Sequence, residues 1–311
     1  MPDSRLTLES ATMLNRFRFF RERGWTEIAA ADYADIWQRC GGSVATHPAF
    51  VERLSGLADI PARYLGWRRD DAFVAAIPVW GRHLALSKAA LKTRGKKAIF
   101  DLGDAEVILP VVAGGERIPL RHAGRYLAAR HQADFAGLKR QREKLSLLKT
   151  VEAFSSKFRY NQRRQLRLFM EAGGGIRPVS EFSPSELAAI YIDLFQRRWK
   201  FPAPGAATMA EVFALLHDWM RGSVLMLRGE PVAVQVLYRV ESAQWVSVEY
   251  INGGIDTQAQ DYSPGSVLIS VNIEAAQQDA AALGKALRYS FGRTGPGYKN
   301  LWCLPEPVFK T

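Results

Sequence analysis

Residues 262–278 read "YSPGSVLISVNIEAAQQ", and the way this stretch begins governs the reading of its surroundings. Ser263 stands where an N-cap residue stands, and Pro264, which has no N–H to leave unpaired, suits the first turn of a helix. The pattern predicts a helix over Ser263–Asp279. Gly265 and Ser266 follow with backbone N–H groups open. A helix start after a strand favours an anion, because its unpaired donors and its dipole act in the same direction. On the residues alone, a plain helix cap and an anion holder both remain open.

Three strand candidates precede that helix: "SVLMLRG", "PVAVQVLYRV" and "QWVSVEYI", joined by the turns "RGEP" and "VESAQ". A further strand, "LRYSF", follows it. Strands joined by hairpins, with helices before and after, predict a mixed, largely antiparallel sheet. Further upstream, "GGIRPVSEF" reads as a strand. Then "SPSELAAIYIDLFQRRW" opens with a capping box of Ser183, Pro184 and Glu186. "MAEVFALLHDWM" reads as another helix.

The first half has a similar order. A strand at Trp25–Ala30 leads to helices in "ADYADIWQRCGG" and "HPAFVERLSGLA", then strands in "ARYLGWRRD" and "AFVAAIPVW". "IFDLGDAEVILPVV" reads as mostly strand; "LRHAGRYLAARH" and "FAGLKRQREKLSLLKTVEAF" read as helical. The predicted organisation is an N-terminal basic amphipathic helix over 1–24, an α/β domain over 25–150 and a second over 151–311.

The 311 residues, 48% hydrophobic, can bury substantial cores. No run of about 20 apolar residues is present, so no membrane-spanning helix is expected, and no secretory signal opens the chain. Cys40 and Cys303 are the only cysteines, which fits a reduced, cytoplasmic setting. The net charge of +11 favours an anionic partner: nucleic acid, lipid headgroups or a phosphate-rich cofactor. The histidines show no paired spacing and the cysteines no CxxC, so no metal is expected. Walker A and G-x-S-x-G sequences are also missing, which argues against a P-loop NTPase or a serine hydrolase.

"SFGRTGPGYKNLW", residues 290–302, resembles the closing motif of GNAT-like acyltransferases related to the FemABX peptidyltransferases. Taken in order, "CGGSVATHPAFVE", "HAGRYL", "DLFQRRW", "NGGID" and "SPGSVL" resemble the Mig-14 family of bacterial proteins, from about Phe17 to Trp302. The resemblance implies tandem GNAT-like domains, association with the inner membrane and a part in resistance to cationic antimicrobial peptides; the family has also been described as a transcriptional regulator. In GNAT enzymes the helix start at "SPGS" cradles the pyrophosphate of coenzyme A within a Q/R-x-x-G-x-G/A pattern. The run here, "QAQDYSPGS", lacks that pattern, which puts acyl-CoA in question and leaves aminoacyl-tRNA as the other donor.

Five sets of residues carry the candidate chemistry. Ser263, Gly265 and Ser266 would hold the acyl donor or another anion. Glu249, near the end of its strand, would take the proton of an attacking amine. Tyr298 and Lys299, in the closing motif, would assist the leaving group. Arg159, Arg163, Arg164 and Arg167, in "SSKFRYNQRRQLRLF", form a basic stripe suited to tRNA, DNA or an anionic membrane surface. The aromatic and basic residues of "MLNRFRFFRERGW" would suit a membrane interface. The expected function is an acyl- or aminoacyl-transferase acting on an envelope-related amine, with a non-catalytic binding protein or a regulator as the alternative.

Overall fold

The computed structural model describes residues 17–295 and 297–311. Most of the predicted N-terminal helix lies outside them; residues 17–21 are helical.

A four-stranded sheet built from Trp25–Ile28, Arg63–Arg69, Ala72–Trp80 and His83–Leu84 occupies the first half. A nine-stranded sheet dominates the rest. Its main order runs Leu127–Ala128, Cys303–Lys310, Lys139–Leu148, Ala286–Arg293, Trp245–Ile255, Glu230–Glu241, Ser223–Leu227 and Gly174–Pro178. Its strands pair antiparallel except for Trp245–Ile255 with Ala286–Arg293, which run parallel. Parallel neighbours need a crossover, and the helix Pro264–Ala282 supplies it. The fold is thus mixed α/β with mixed, largely antiparallel sheets, as expected.

Three expectations are corrected. Lys139–Leu148, read as helix, is a ten-residue strand between Ala286–Arg293 and Cys303–Lys310. Its run of charges hides the two-residue period: Gln141 and Leu145 are buried while Lys139, Arg140, Arg142 and Lys144 are exposed. Residues 120–131, also read as helical, are largely irregular, broken by Tyr126 at φ 57°. Residues 99–112, read as mostly strand, form a buried loop with isolated bridges at Val107 and Val111. Buried backbone groups need partners, and side chains provide them: Ile108 N–H donates to Ser43 Oγ (3.0 Å), Leu109 N–H to His131 Nε2 (2.9 Å), and Thr46 Oγ1 to the Ile108 carbonyl (2.6 Å).

The largest core joins the two halves. Tyr33, Trp37 and Phe50 pack in one cluster with Phe213, Leu216 and Tyr238, and the Phe50 and Tyr238 rings meet edge to face at 5.2 Å. A second cluster lies on the opposite face of the large sheet, where Val246, Val248 and Tyr250 pack on Ile269 and Ile273 of the crossover helix.

Candidate functional site

The parallel strand pair opens where the candidate site lies. Pairing between Trp245–Ile255 and Ala286–Arg293 ends at Glu249 with Ser290. On the other edge of the same strand the register jumps: Leu237 faces Tyr250, but Val236 faces Asn252, which leaves Ile251 as the extra residue of a bulge. A bulge bends its strand and re-aims the side chains beyond it. The strands diverge there, and the start of the crossover helix and the closing segment enclose a cavity of about 170 Å³. Gly265 and Ser266 line it from the helix, Tyr250 and Gly253 from the strand, and Tyr298, Leu301 and Trp302 from the closing segment. Two motifs singled out in the sequence, "SPGS" and "GPGYKNLW", therefore meet at one space.

The helix start is less open than the sequence suggests. Ser263 adopts a left-handed conformation (φ 49°, ψ 45°) and its side chain caps nothing. Its carbonyl instead accepts the N–H groups of Ser266 (2.9 Å) and Val267 (3.1 Å). The Ser266 hydroxyl donates to Gln162 Oε1 at 3.1 Å. Pro264 has no N–H, so Gly265 carries the one amide at this corner without an acceptor among the described residues.

Tyr298 lies over the cavity with its hydroxyl 3.5 Å from that of Tyr250. Burial first, then the neighbouring phenol, hold the Tyr298 hydroxyl well above its ordinary pKa, so it remains a proton donor at neutral pH. Lys299 points elsewhere. Its ammonium donates to the carbonyls of Phe291 (2.6 Å) and Arg293 (2.8 Å), and burial lowers its pKa. It fastens the end of the strand and does not line the cavity.

Glu249 is not brought to the cavity either. Successive residues of a strand face opposite ways, so with Tyr250 on the cavity side Glu249 faces the N-terminal half. It is buried there, accepting from Ser290 Oγ (2.8 Å) and from the Glu106 N–H (3.2 Å). Desolvation raises its pKa well above the carboxylate range. Glu106 in turn forms a two-point ion pair with Arg288. The sheet thus stands between the Glu249 carboxyl and the cavity.

The basic stripe is on the surface. Arg159, Arg163, Arg164 and Arg167 are all exposed on the helix Ser156–Glu171. Arg159 donates to the Val151 carbonyl (3.3 Å), and Arg167 approaches Glu171 at 3.7 Å. The opposite face of this helix packs beside the cavity, with Phe158 against Trp302 (ring centroids 4.9 Å apart) and Gln162 on Ser266.

One charged residue at the cavity escaped the sequence reading. Arg198 lines the cavity and donates to the Gly253 carbonyl at 3.2 Å. Its neighbour Arg197 pairs with Asp193 and Asp256 instead. The doublet in "DLFQRRW" was visible as a motif. Adjacent helical residues point about 100° apart, and only the packed helix shows which of them turns to the sheet. Among the described residues no group of three His, Cys, Asp or Glu could hold a metal ion, and no helix is long and apolar enough to cross a membrane.

Among solved structures the chain is similar to FemX (10% identity, 92% of this chain and 96% of that one, TM-score 0.54). It also matches L-PGS from Bacillus licheniformis (12% identity, 91% of each chain, TM-score 0.46). A third match is a tandem GNAT protein from the clavulanic acid biosynthesis pathway (10% identity, 92% and 97%, TM-score 0.47). At this identity the FemX likeness identifies the fold alone, and the two lower scores add nothing to it. No curated protein matches in sequence. The family model for Mig-14 matches residues 47–311, and the chain belongs to the Mig-14 family.

Proposed function

We propose that this protein transfers an aminoacyl group from a charged tRNA to an amine, with the aminoacyl ester seated in the cavity between Gly265 and Tyr298. The observation that carries the reading is this meeting of the helix start with the Tyr298 segment where the parallel strands part. The choice of donor rests on the helix start. A diphosphate cradle draws on several convergent N–H groups, and among the described residues this corner offers Gly265 alone, which fits coenzyme A poorly. A tRNA carries its phosphates outside the cavity, where the exposed Arg159, Arg163, Arg164 and Arg167 lie on the adjoining helix.

In the proposed step the amine nitrogen attacks the ester carbonyl. The new C–N bond forms, the C–O bond to the ribose breaks, the amine's proton passes to water, the leaving oxygen takes a proton from Tyr298, and that water returns a proton to the phenolate, so Tyr298 ends the cycle protonated. The Gly265 N–H, which has no acceptor among the described residues, donates to the oxyanion in this scheme. An envelope component as acceptor, resistance to cationic antimicrobial peptides as the outcome, and a place at the inner membrane extend the same reading. Phe17, Phe19 and Phe20, which are 67%, 76% and 63% exposed beside Arg18 and Arg23, support the last of these.

The test is to incubate purified protein and envelope extract with tRNA charged by labelled amino acids, and separately with labelled acyl-CoA. Label should move from the tRNA. Transfer from acyl-CoA alone would replace the donor, and no transfer from either would leave a non-catalytic scaffold that captures an anionic partner. One observation favours that second reading: no carboxylate or imidazole lines the cavity among the described residues. A scaffold predicts that Tyr298→Phe leaves the resistance phenotype intact, while neutralising Arg159, Arg163, Arg164 and Arg167 abolishes it.

A further inference from the structure

The cavity carries a charge imbalance that its surroundings do not correct. Arg198 is half-buried and reaches no carboxylate among the described residues. Its guanidinium lies over the rings of Trp199 (4.6 Å) and Tyr298 (5.7 Å), which fix its plane without neutralising it. Among the described residues no aspartate or glutamate lines the space, and its walls are otherwise largely Val234, Ile255, Leu268, Ile269 and Trp302. The volume of about 170 Å³ holds roughly ten water-sized groups at about 15 Å³ each, enough for a leucine- or phenylalanine-sized side chain.

Resting on the aminoacyl-transfer reading above, we propose that the cavity selects an aminoacyl group with an apolar side chain over a cationic one, and that Arg198 is the residue that rejects the cation. An apolar side chain exchanges water for matching walls. A lysyl ammonium entering the same space loses its hydration, finds no counter-charge and meets a guanidinium of its own sign. Discrimination then comes from a repulsive element as well as an attractive one.

The experiment uses matched probes on two scaffolds: amide-linked leucyl and lysyl adenosines, and the N-acetyl methylamides of leucine and lysine. Calorimetry with the wild-type chain should show the leucyl compound binding roughly tenfold or more tightly than the lysyl one. In Arg198→Glu the gap should close or invert, and in Arg198→Gln it should narrow; the two variants differ in charge at a half-buried position, and their thermal transitions check that both fold. If the adenosines fail on both side chains while the leucine methylamide still binds in preference to lysine's, the selectivity stands and the aminoacyl-tRNA reading falls. Equal or tighter lysyl binding on either scaffold overturns the selectivity, as does an unchanged gap in Arg198→Glu or the absence of binding by every probe.

Discussion

Glu249 and Tyr250 are neighbours on one strand and live in different environments. Tyr250 faces the crossover helix and borders the cavity. Glu249 faces the other way, into the junction with the N-terminal half, where Ser290 and the Glu106 backbone hold it. The acid chosen from the sequence as a proton acceptor is therefore buried away from the cavity, and the phenol beside it lines that cavity. The lesson is that a strand's two-residue period can place adjacent polar residues in unrelated roles, and that burial decides which one meets a ligand.

The largest effect that would sharpen this contrast is at Tyr298. Tyr298→Phe should lower the transfer rate by about a hundredfold, the scale of a lost general acid, with KM little changed. A variant rate within twofold of wild type would remove Tyr298 from the chemistry.

Glu249→Ala should act on stability instead. It leaves the Ser290 hydroxyl and the Glu106 amide unpaired in a buried place, at a cost of about 1–3 kcal/mol, readable as a lower midpoint in urea. Glu249→Gln keeps a carbonyl acceptor and should lose less, with transfer within a few-fold of wild type. A large loss of rate in a stable Gln variant would return Glu249 to the mechanism.

The same pair gives a pH test. The folded pKa of Glu249 is raised above its ordinary 4.5, so the unfolded chain releases this proton first. Its contribution is fully present below pH 4.5 and is lost as pH rises toward the folded pKa. The stability of wild type relative to Glu249→Gln should decline from pH 4 upward in urea titrations, and a flat difference would contradict the burial.

Smaller effects are expected at the surface and at the mouth. Replacing both Arg163 and Arg164 with Gln should weaken tRNA binding and reduce the slope of log K against log salt by roughly 1.5, at about 0.7–0.9 per phosphate contact. An unchanged slope would place the polyanion elsewhere. Gly265→Ala is the mildest. Its new methyl would come within 2.6 Å of Ile255 Cδ1, a flexible tip that can shift aside. Stability should change by less than about 1 kcal/mol, while probe affinity falls several-fold if the methyl crowds the opening.

Much of the second half was legible because its signals are local. The capping box at Ser183 and Glu186 forms as read, with Ser183 N–H donating to Glu186 Oε2 at 2.8 Å. The three consecutive strands and the helix that follows them also appear. The first half was read less well where structure depends on distant partners. The loop over residues 99–112 is held by Ser43, Thr46, His131 and Glu249, none of them near it in sequence. Lys139–Leu148 becomes a strand because two other strands offer it a place between them. Of the candidate site residues, Gly265, Ser266 and Tyr298 border the cavity, Glu249 and Lys299 are turned away, and Arg198 was missed.

Sequence alone determined most elements of the second half, the basic helix and the two glycine-bearing motifs, since periodicity, caps and charge are properties of neighbouring residues. Tertiary structure decided that those motifs share a cavity, that Arg198 and not Arg197 enters it, and that Glu249 is sealed on the far face. Each of these depends on which way a side chain points once strands diverge and helices pack, and that is fixed by contacts between residues tens to hundreds of positions apart.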